Sequence, residues 1–157
     1  MPLMSRKVDY ALLILSYLHE RAEGGCAREV AAHFGLSRPF VANILKELCQ
    51  KGFVSSHRGV KGGYVPRQPA EEVSLADVMH ALDGSFSFAE CNRDVEESVC
   101  CYESICPVKG QIQDVQRRIW DVLRGVTLAE LFQPNRASFG LQVGTNCFNT
   151  ERQLAGS

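Results

Sequence analysis

Four cysteines fall close together in the chain, at Cys91, Cys100, Cys101 and Cys106. Thiolates are soft ligands that suit iron–sulfur clusters and zinc. Structural zinc sites favour two pairs of cysteines, each pair separated by about two to four residues. Here eight residues separate Cys91 from Cys100 and five separate Cys100 from Cys106, or four if Cys101 is the ligand. This spacing favours one open loop around an iron–sulfur cluster over zinc, with redox-active thiols as a third interpretation.

The surroundings of the cysteines favour a reduced thiolate centre. Cys106 directly precedes Pro107 at the start of a predicted long helix, where the helix dipole stabilises negative charge. The chain has seven cysteines, no signal-peptide pattern and no long apolar run. We therefore expect a cytoplasmic protein without a membrane partner, in which thiols serve metal or redox chemistry.

The residues before the cysteines predict a winged helix-turn-helix. Apolar periodicity predicts helices over about residues 5–21, 27–34 and 37–51, with Gly24-Gly25 ending the first. Gly35-Leu36-Ser37 is a tight turn, Ser37 is a good N-cap, and Pro39 suits the first helical turn. Residues 53–65 contain two β-prone pieces around a glycine-rich basic turn, which predicts a hairpin. The predicted fold is mainly α with a small β-wing: a winged helix-turn-helix plus a long dimerisation helix.

The second part of the chain predicts a long helix suited to dimerisation. Ser74 caps a helix over about residues 75–82, the cysteine stretch follows as a loop, and Thr127 caps a last turn. Between them, the helix over about residues 108–124 has apolar residues at alternating steps of four and three, a heptad seam. This pattern favours a homodimer over a packed core helix. The seam residues are Val108, Ile112, Val115, Ile119 and Val122, continued by Val126.

These elements predict three regions. Residues 1–70 form a DNA-binding domain, residues 71–133 a cysteine-loop sensor and dimerisation region, and residues 134–157 a disordered tail in which Cys147 is incidental. Charge supports the division, although the net charge is only -1. The first region holds ten Lys/Arg against five Asp/Glu, and the remainder holds seven against thirteen. Such an asymmetry indicates a half that binds a polyanion. No nucleotide-binding loop, catalytic triad or acid–base pair is present, so we do not expect an enzyme.

The basic half predicts contacts to double-stranded DNA. The second helix of a helix-turn-helix reads base edges from its first turns, and a wing lies along phosphates or enters a minor groove. A dimer should bind an inverted-repeat operator, with an affinity that falls steeply with salt. The predicted contacts are Ser37, Arg38, Pro39, Phe40, Ala42 and Asn43 from the helix, and His57, Arg58 and Lys61 from the wing.

Over about residues 4–132 the chain resembles bacterial winged-helix regulators of the IscR/NsrR/RirA type. The resemblance includes the cysteine loop before the long helix. Its other motifs are Asp9-Tyr10-Ala11-Leu12, Gly35-Leu36-Ser37, Arg58-Gly59-Val60-Lys61-Gly62-Gly63-Tyr64, Val73-Ser74-Leu75-Ala76-Asp77-Val78 and Ala81-Leu82-Asp83-Gly84.

The resemblance implies a homodimer joined through the long helix, with an iron–sulfur cluster near the interface. Cys91, Cys106 and Cys100 would be ligands, because five residues before the last cysteine is the usual family spacing; Cys101 is the alternative to Cys100. One branch uses a histidine three residues after the last cysteine to hold a [2Fe-2S] cluster, but Lys109 stands there and cannot ligate.

In the nitric-oxide-sensing branch, an aspartate in the first helix of the partner subunit completes a [4Fe-4S] site. Asp9 matches it, so the resemblance favours [4Fe-4S] over [2Fe-2S]. The alternative role for Asp9 is a carboxylate that favours the helix dipole. The chain departs from the family in its longer first cysteine gap and in the additional Cys101.

The predicted function is transcriptional regulation. A repressor or activator would change its operator affinity through an iron–sulfur cluster that senses nitric oxide, redox state or the supply of iron or clusters. The alternative is a zinc-bound or cluster-free regulator that responds to a metabolite or a partner protein. A third hypothesis is an iron–sulfur assembly module that uses its winged helix to bind protein.

Overall fold

A computed structural model describes residues 4–59, 62–84, 87, 89, 100–102 and 104–133. Cys91, Lys61, Cys147 and the predicted tail therefore lie outside the described residues. No helix of the described part is long and apolar enough to cross a membrane. The elements are α1 (Arg6–His19), α2 (Ala27–Phe34), α3 (Arg38–Gln50), β1 (Val54–His57), β2 (Gly63–Pro66), α4 (Leu75–Asp83), α5 (Lys109–Gly125) and α6 (Leu128–Phe132).

The first helix, α1, lies at the centre of the fold and contacts α3, α4 and β2. Ser5 is its N-cap, because the Ser5 Oγ accepts a hydrogen bond from the Val8 N–H at 3.3 Å. The predicted apolar face is buried at Val8, Ala11, Leu15 and Leu18 and half-buried at Leu12; Ile14 and Tyr17 are buried as well. The helix ends at His19, so the prediction that Gly24-Gly25 ends it is wrong.

The helix-turn-helix forms as predicted. Gly35 ends α2 with a positive φ of 66°, a conformation that glycine adopts without strain, and the Leu36 N–H donates to the Ala31 carbonyl at 2.9 Å. Ser37 is the N-cap residue of α3, as predicted, although its side chain makes no capping hydrogen bond. Pro39 lies in the first turn of this helix, where its fixed φ suits a helix start. Its buried residues are Val41, Ile44, Leu45 and Leu48.

The wing is an antiparallel hairpin that is held against the segment between α1 and α2. Strands β1 and β2 pair from Val54 with Pro66 to His57 with Gly63. The Gly25 N–H donates to the Tyr64 carbonyl at 3.0 Å, and the Tyr64 N–H donates to the Gly25 carbonyl at 2.9 Å. A Cβ placed on Gly63 would lie 2.8 Å from the Gly25 carbonyl oxygen. This glycine therefore serves close backbone approach as well as the turn.

The C-terminal elements return to the same core. Ser74 caps α4, and the Ser74–Thr127 bridge includes a hydrogen bond from the Leu75 N–H to the Val126 carbonyl at 2.9 Å. Leu128 is 0% exposed, in one core with Val8. The core thus continues across the predicted boundary at residue 70, and the functional division there stays a prediction. The inclusion of Val126 in the seam is wrong, because this residue lies beyond α5 in extended backbone.

The fold class is confirmed: the described residues are mostly helical, with one two-stranded antiparallel wing. The α5 helix begins one residue later than predicted, at Lys109, with Val108 in the N-cap position. Helix α6 begins at the predicted Thr127 cap.

Candidate functional site

The predicted DNA-contacting residues of α3 lie on its outer side. Ser37, Arg38, Pro39 and Asn43 are exposed and Ala42 is half-buried. Phe40 is 37% exposed, and its ring meets the Tyr10 ring edge-on at 4.9 Å. The structure therefore brings these residues together, with Phe40 also joining α3 to α1.

A second contact between α1 and α3 is ionic. The Lys7 Nζ lies 3.0 Å from the Glu47 Oε1, and both side chains are partly exposed. Glu47 is the one carboxylate of α3. Its pairing with Lys7 reduces the negative charge that the recognition helix would present to a phosphate backbone.

The wing presents a basic tip beside an open groove. His57 and Arg58 are exposed. Together with Arg28 they line a groove of about 780 Å³ between the wing and the start of α2, which also contains Glu23 and Glu29. The Cys26 N–H donates to the Glu29 Oε2 at 2.8 Å and lowers the pKa of the Glu29 carboxyl. Glu29 is thus engaged in capping α2 rather than directed at a ligand.

Accessible thiols precede α5 in the cysteine segment, which is the stretch from Cys91 to Cys106. Cys100 and Cys106 are half-exposed free thiols and Cys101 is exposed. Asp9 is exposed in the first turn of α1. Within the described residues of this single chain, no three His, Cys, Asp or Glu side chains converge in a group suited to a metal ion. The structure therefore does not gather the described members of the predicted ligand set, and Cys91 lies outside the described residues.

The seam of α5 is largely uncovered in the single chain. Val108 is 53%, Val115 is 40% and Val122 is 64% exposed, whereas Ile112 and Ile119 are half-buried. Another side of α5 contacts α4. On that side the Trp120 ring meets the His80 ring at 6.4 Å, and Leu123 packs on the core.

The described residues thus combine a winged helix-turn-helix, accessible thiols at Cys100, Cys101 and Cys106, and a long amphipathic helix. The family model of Rrf2, described as an iron-dependent transcriptional regulator, matches residues 4–134. The chain belongs to the Rrf2 family. Its expected resemblance to the IscR/NsrR/RirA type of regulators is thereby confirmed.

Similar proteins include other Rrf2-like chains and solved structures. Protein aau3 of Rhizobium meliloti (strain 1021) is 30% identical, over 82% of this chain and 83% of its own length. The structure of CymR, the global cysteine regulator of B. subtilis, has a TM-score of 0.64 and 27% identity, covering 84% of this chain and 97% of CymR. The structure of T. potens IscR has a TM-score of 0.61 and 26% identity, covering 81% of this chain and 83% of IscR.

Membership of the Rrf2 family establishes the general activity. The chain is a DNA-binding transcriptional regulator, and the expectation that it is not an enzyme is confirmed. The predicted contact residues, the operator and the oligomeric state stay predictions.

Sequence reasoning missed several residues of this Rrf2 regulator. Lys46 is exposed one turn after Asn43, and the helical period could have placed it on the same face. Arg28 lies beside the wing only because Gly25 pairs with Tyr64, which no local pattern predicts.

The largest omission is a contact between Ser5 and Asp83. It joins residues 78 positions apart in the chain. Ser5 carries an N-cap signal in the sequence, but nothing there identifies its partner.

Proposed function

We propose that this Rrf2 regulator binds an inverted-repeat operator as a homodimer, and that an iron–sulfur cluster sets its affinity. The cluster would be held by Cys91, Cys100 and Cys106 and completed by Asp9, with Cys101 as the alternative to Cys100. One observation carries the proposal. Cys100 and Cys106 are accessible thiols in the segment that leads directly into α5, the helix with the uncovered apolar seam.

The donor chemistry fits an iron–sulfur cluster. Thiolates are its usual ligands, and Cys106 precedes a helix N-terminus that favours negative charge. The Asp9 carboxylate is exposed and has no hydrogen-bond or ion-pair partner within the described part of the chain. The resemblance to the nitric-oxide-sensing branch implies that Asp9 completes the site of the partner subunit, and that this ligand set favours [4Fe-4S] over [2Fe-2S]. When bound, the cluster would supply a centre sensitive to redox state and nitric oxide.

The α5 seam supports the homodimer. Five apolar residues recur at steps of four and three, and the single chain leaves three of them exposed and two half-buried. An antiparallel or crossed pair of such helices would remove the apolar side chains from water, which is the usual driving force for association. Dimerisation through α5 would also place two cysteine segments beside one interface.

The outer side of α3 and the wing would then contact DNA. Arg38 can bind a guanine or a phosphate, and Asn43 can bind an adenine edge. Arg58 would lie on the phosphate backbone or in the minor groove. A bound cluster would fix the position of α1 relative to the cysteine segment. Because α1 contacts α3 through Lys7 and Glu47, loss of the cluster would then change the affinity of α3 for DNA.

The first test is anaerobic purification followed by a visible spectrum and an iron and sulfide assay. We expect a broad absorbance at roughly 400 nm and about four irons per chain, whereas about two irons would indicate a [2Fe-2S] cluster. Cys106→Ala should remove the chromophore. Cys49→Ala is the matched control, because Cys49 packs against the core on α3 and should leave the spectrum unchanged. A colourless wild-type protein would refute the proposal.

The roles of Cys100 and Cys101 can be separated in the same assay. Cys100→Ala should lose iron, while Cys101→Ala should retain it. The reverse result would assign Cys101 as the ligand and leave the rest of the proposal intact. Loss of iron in neither variant would contradict a cluster held by this segment.

The DNA-binding part of the proposal is tested by selecting bound sequences from random double-stranded DNA. An inverted repeat with half-sites about one helical turn apart is expected. Operator affinity should differ between cluster-loaded and cluster-free protein. Equal affinity of the two forms would contradict control by the cluster.

The likeness to CymR favours one second candidate, a cluster-free or zinc-bound regulator that responds to a metabolite or a partner protein. CymR is a global cysteine regulator and aligns over most of this chain. This candidate predicts a colourless protein that selects an operator equally well with and without air or nitric oxide. Its operator affinity should change when sulfur-containing metabolites are added.

A further inference from the structure

The strongest unassigned feature is a carboxylate that joins the ends of two helices. The Ser5 Oγ donates a hydrogen bond to the Asp83 Oδ1 at 2.6 Å, and the Ser5 N–H donates to the Asp83 Oδ2 at 3.1 Å. Both carboxylate oxygens are therefore used on one residue. Such charge-assisted bonds are shorter and stronger than neutral ones.

The position of this pair is significant. Ser5 is the N-cap of α1, and Asp9 lies in the first turn of the same helix. Asp83 is the last residue of α4 and Gly84 is its C-cap; Cys91 follows seven positions after Gly84 in the sequence. The Ser5–Asp83 pair thus links the helix that carries Asp9 to the end of α4, the helix that precedes the cysteines in the sequence.

From α1 the connection continues to the recognition helix. Lys7 pairs with Glu47 of α3 at 3.0 Å, and Tyr10 meets Phe40 of α3 edge-on. Buried residues of α1 and α3 also belong to one core. A displacement of the α1 N-terminus would therefore shift the side of α3 that carries the predicted DNA contacts, because closely packed elements transmit strain to one another.

Two other cap pairs of the chain are local, unlike the pair between Ser5 and Asp83. Ser74 with Asp77, and Thr127 with Glu130, join residues three apart within one helical turn. These pairs only stabilise their own helices. The Ser5–Asp83 pair instead connects two helices and is exposed to water, so it can open without uncovering the core.

We infer that Ser5 and Asp83 form a coupling clamp that transmits the state of the cysteine segment through α1 to the recognition helix. Asp83 is a positioning residue in this scheme and does not bind DNA or the cluster. The inference rests on the proposed function, because the cluster supplies the signal. The contacts that lead from Asp83 through α1 to α3 do not depend on a cluster.

The test compares Asp83→Ala with Asp77→Ala. Both variants remove one carboxylate from a cap serine and change the charge equally, but only the first breaks a link between helices. Operator affinity is measured for cluster-loaded and cluster-free protein of each variant. Wild type and Asp77→Ala should keep a ratio in the range of about 5- to 150-fold that is typical of coupled sites. Asp83→Ala should bring the ratio close to one while iron content stays at the wild-type level.

Asp83→Asn guards against a variant that fails to fold. An amide oxygen can still accept one of the two hydrogen bonds from Ser5, so an intermediate ratio is expected. A wild-type ratio in Asp83→Ala, with a folded protein and full iron content, would overturn the clamp.

Hydrogen exchange separates failure of the clamp from failure of the proposed function. In metal-free protein, Asp83→Ala should speed exchange of the hydrogen-bonded amides Val8 and Asp9 in the first turn of α1, and of Val41 at the start of α3, by roughly tenfold, as expected for loss of a charge-assisted hydrogen bond. Asp77→Ala should leave both turns unchanged. If the wild type carries no cluster, the proposed function fails and this comparison alone decides the clamp. Faster exchange confined to α1 would overturn it.

Discussion

Replacing Gly63 with alanine should detach the wing from the body of the protein. A Cβ at this position would lie 2.8 Å from the Gly25 carbonyl oxygen and 3.0 Å from its carbonyl carbon. Both are backbone atoms, so no side chain can rotate away and the two segments must separate. Gly63 does not have a positive φ. The cost therefore comes from the clash and not from backbone strain.

The separation breaks the two hydrogen bonds between Gly25 and Tyr64, at 3.0 and 2.9 Å. At about 0.5–1.5 kcal/mol each, their loss destabilises the protein by about 1–3 kcal/mol. Alanine also restricts the unfolded chain, which offsets part of this cost by about 0.4–1 kcal/mol. Gly110→Ala is the matched control, because nothing lies within 4 Å of its Cβ position and it has the same effect on the unfolded chain.

Urea unfolding at equal protein concentration, followed by circular dichroism, measures the difference. Gly63→Ala should have a free energy of unfolding about 1–3 kcal/mol below that of Gly110→Ala. It should also bind the selected operator more weakly, since Arg58 would lose its position relative to α3. Equal stabilities of the two variants would show that the wing is not held by this pairing.

Three further predictions concern dimerisation, DNA contact and pH. Val115→Asp places a charge in the α5 seam and should yield monomers in sedimentation experiments, whereas Gln113→Asp, at an exposed position on another side of α5, should not; a dimeric Val115→Asp would contradict dimerisation through α5. Arg58→Ala should weaken DNA binding across all sequences and reduce the salt slope by about one, and an unchanged slope would exclude a phosphate contact. Burial lowers the pKa of His19, an effect that Glu71 partly offsets. The folded protein therefore binds this proton less readily than the unfolded chain, whose His titrates at about 6.5. Stability should fall as the pH drops below that value and should fall less in His19→Gln; equal urea midpoints between pH 7.5 and 5.5 in wild type would refute this.

Helix positions could be predicted because their causes are local. The apolar period of α1 and α3 matches the buried faces, and Ser74 and Thr127 both cap helices as their types indicate. The uncovered seam of α5 also follows from its spacing of apolar residues. In each case the deciding residues lie within a few turns of one another.

The remaining features depend on residues that are distant in the chain. Gly24-Gly25 was expected to end α1, but Gly25 pairs with the wing. Val126 continues the heptad in sequence, yet its carbonyl accepts from the Leu75 N–H and its backbone is extended. The ligand set depends on Cys91, outside the described residues, and on a second chain, so it stays a prediction.

The bridge between Ser74 and Thr127 has a consequence for how such regulators diverge. Because the two residues pair, the part of the chain between Ser74 and Thr127 begins and ends at adjacent positions. One of the two hydrogen bonds of this bridge runs from the Leu128 N–H to the Val73 carbonyl at 2.8 Å, so the bridge also holds the start of α6. Insertions or deletions between Asp83 and α5 therefore need not displace α6 from the core. The length and sequence of the cysteine segment can therefore change during evolution, for example through a longer first gap. The winged helix-turn-helix keeps its structure when this happens.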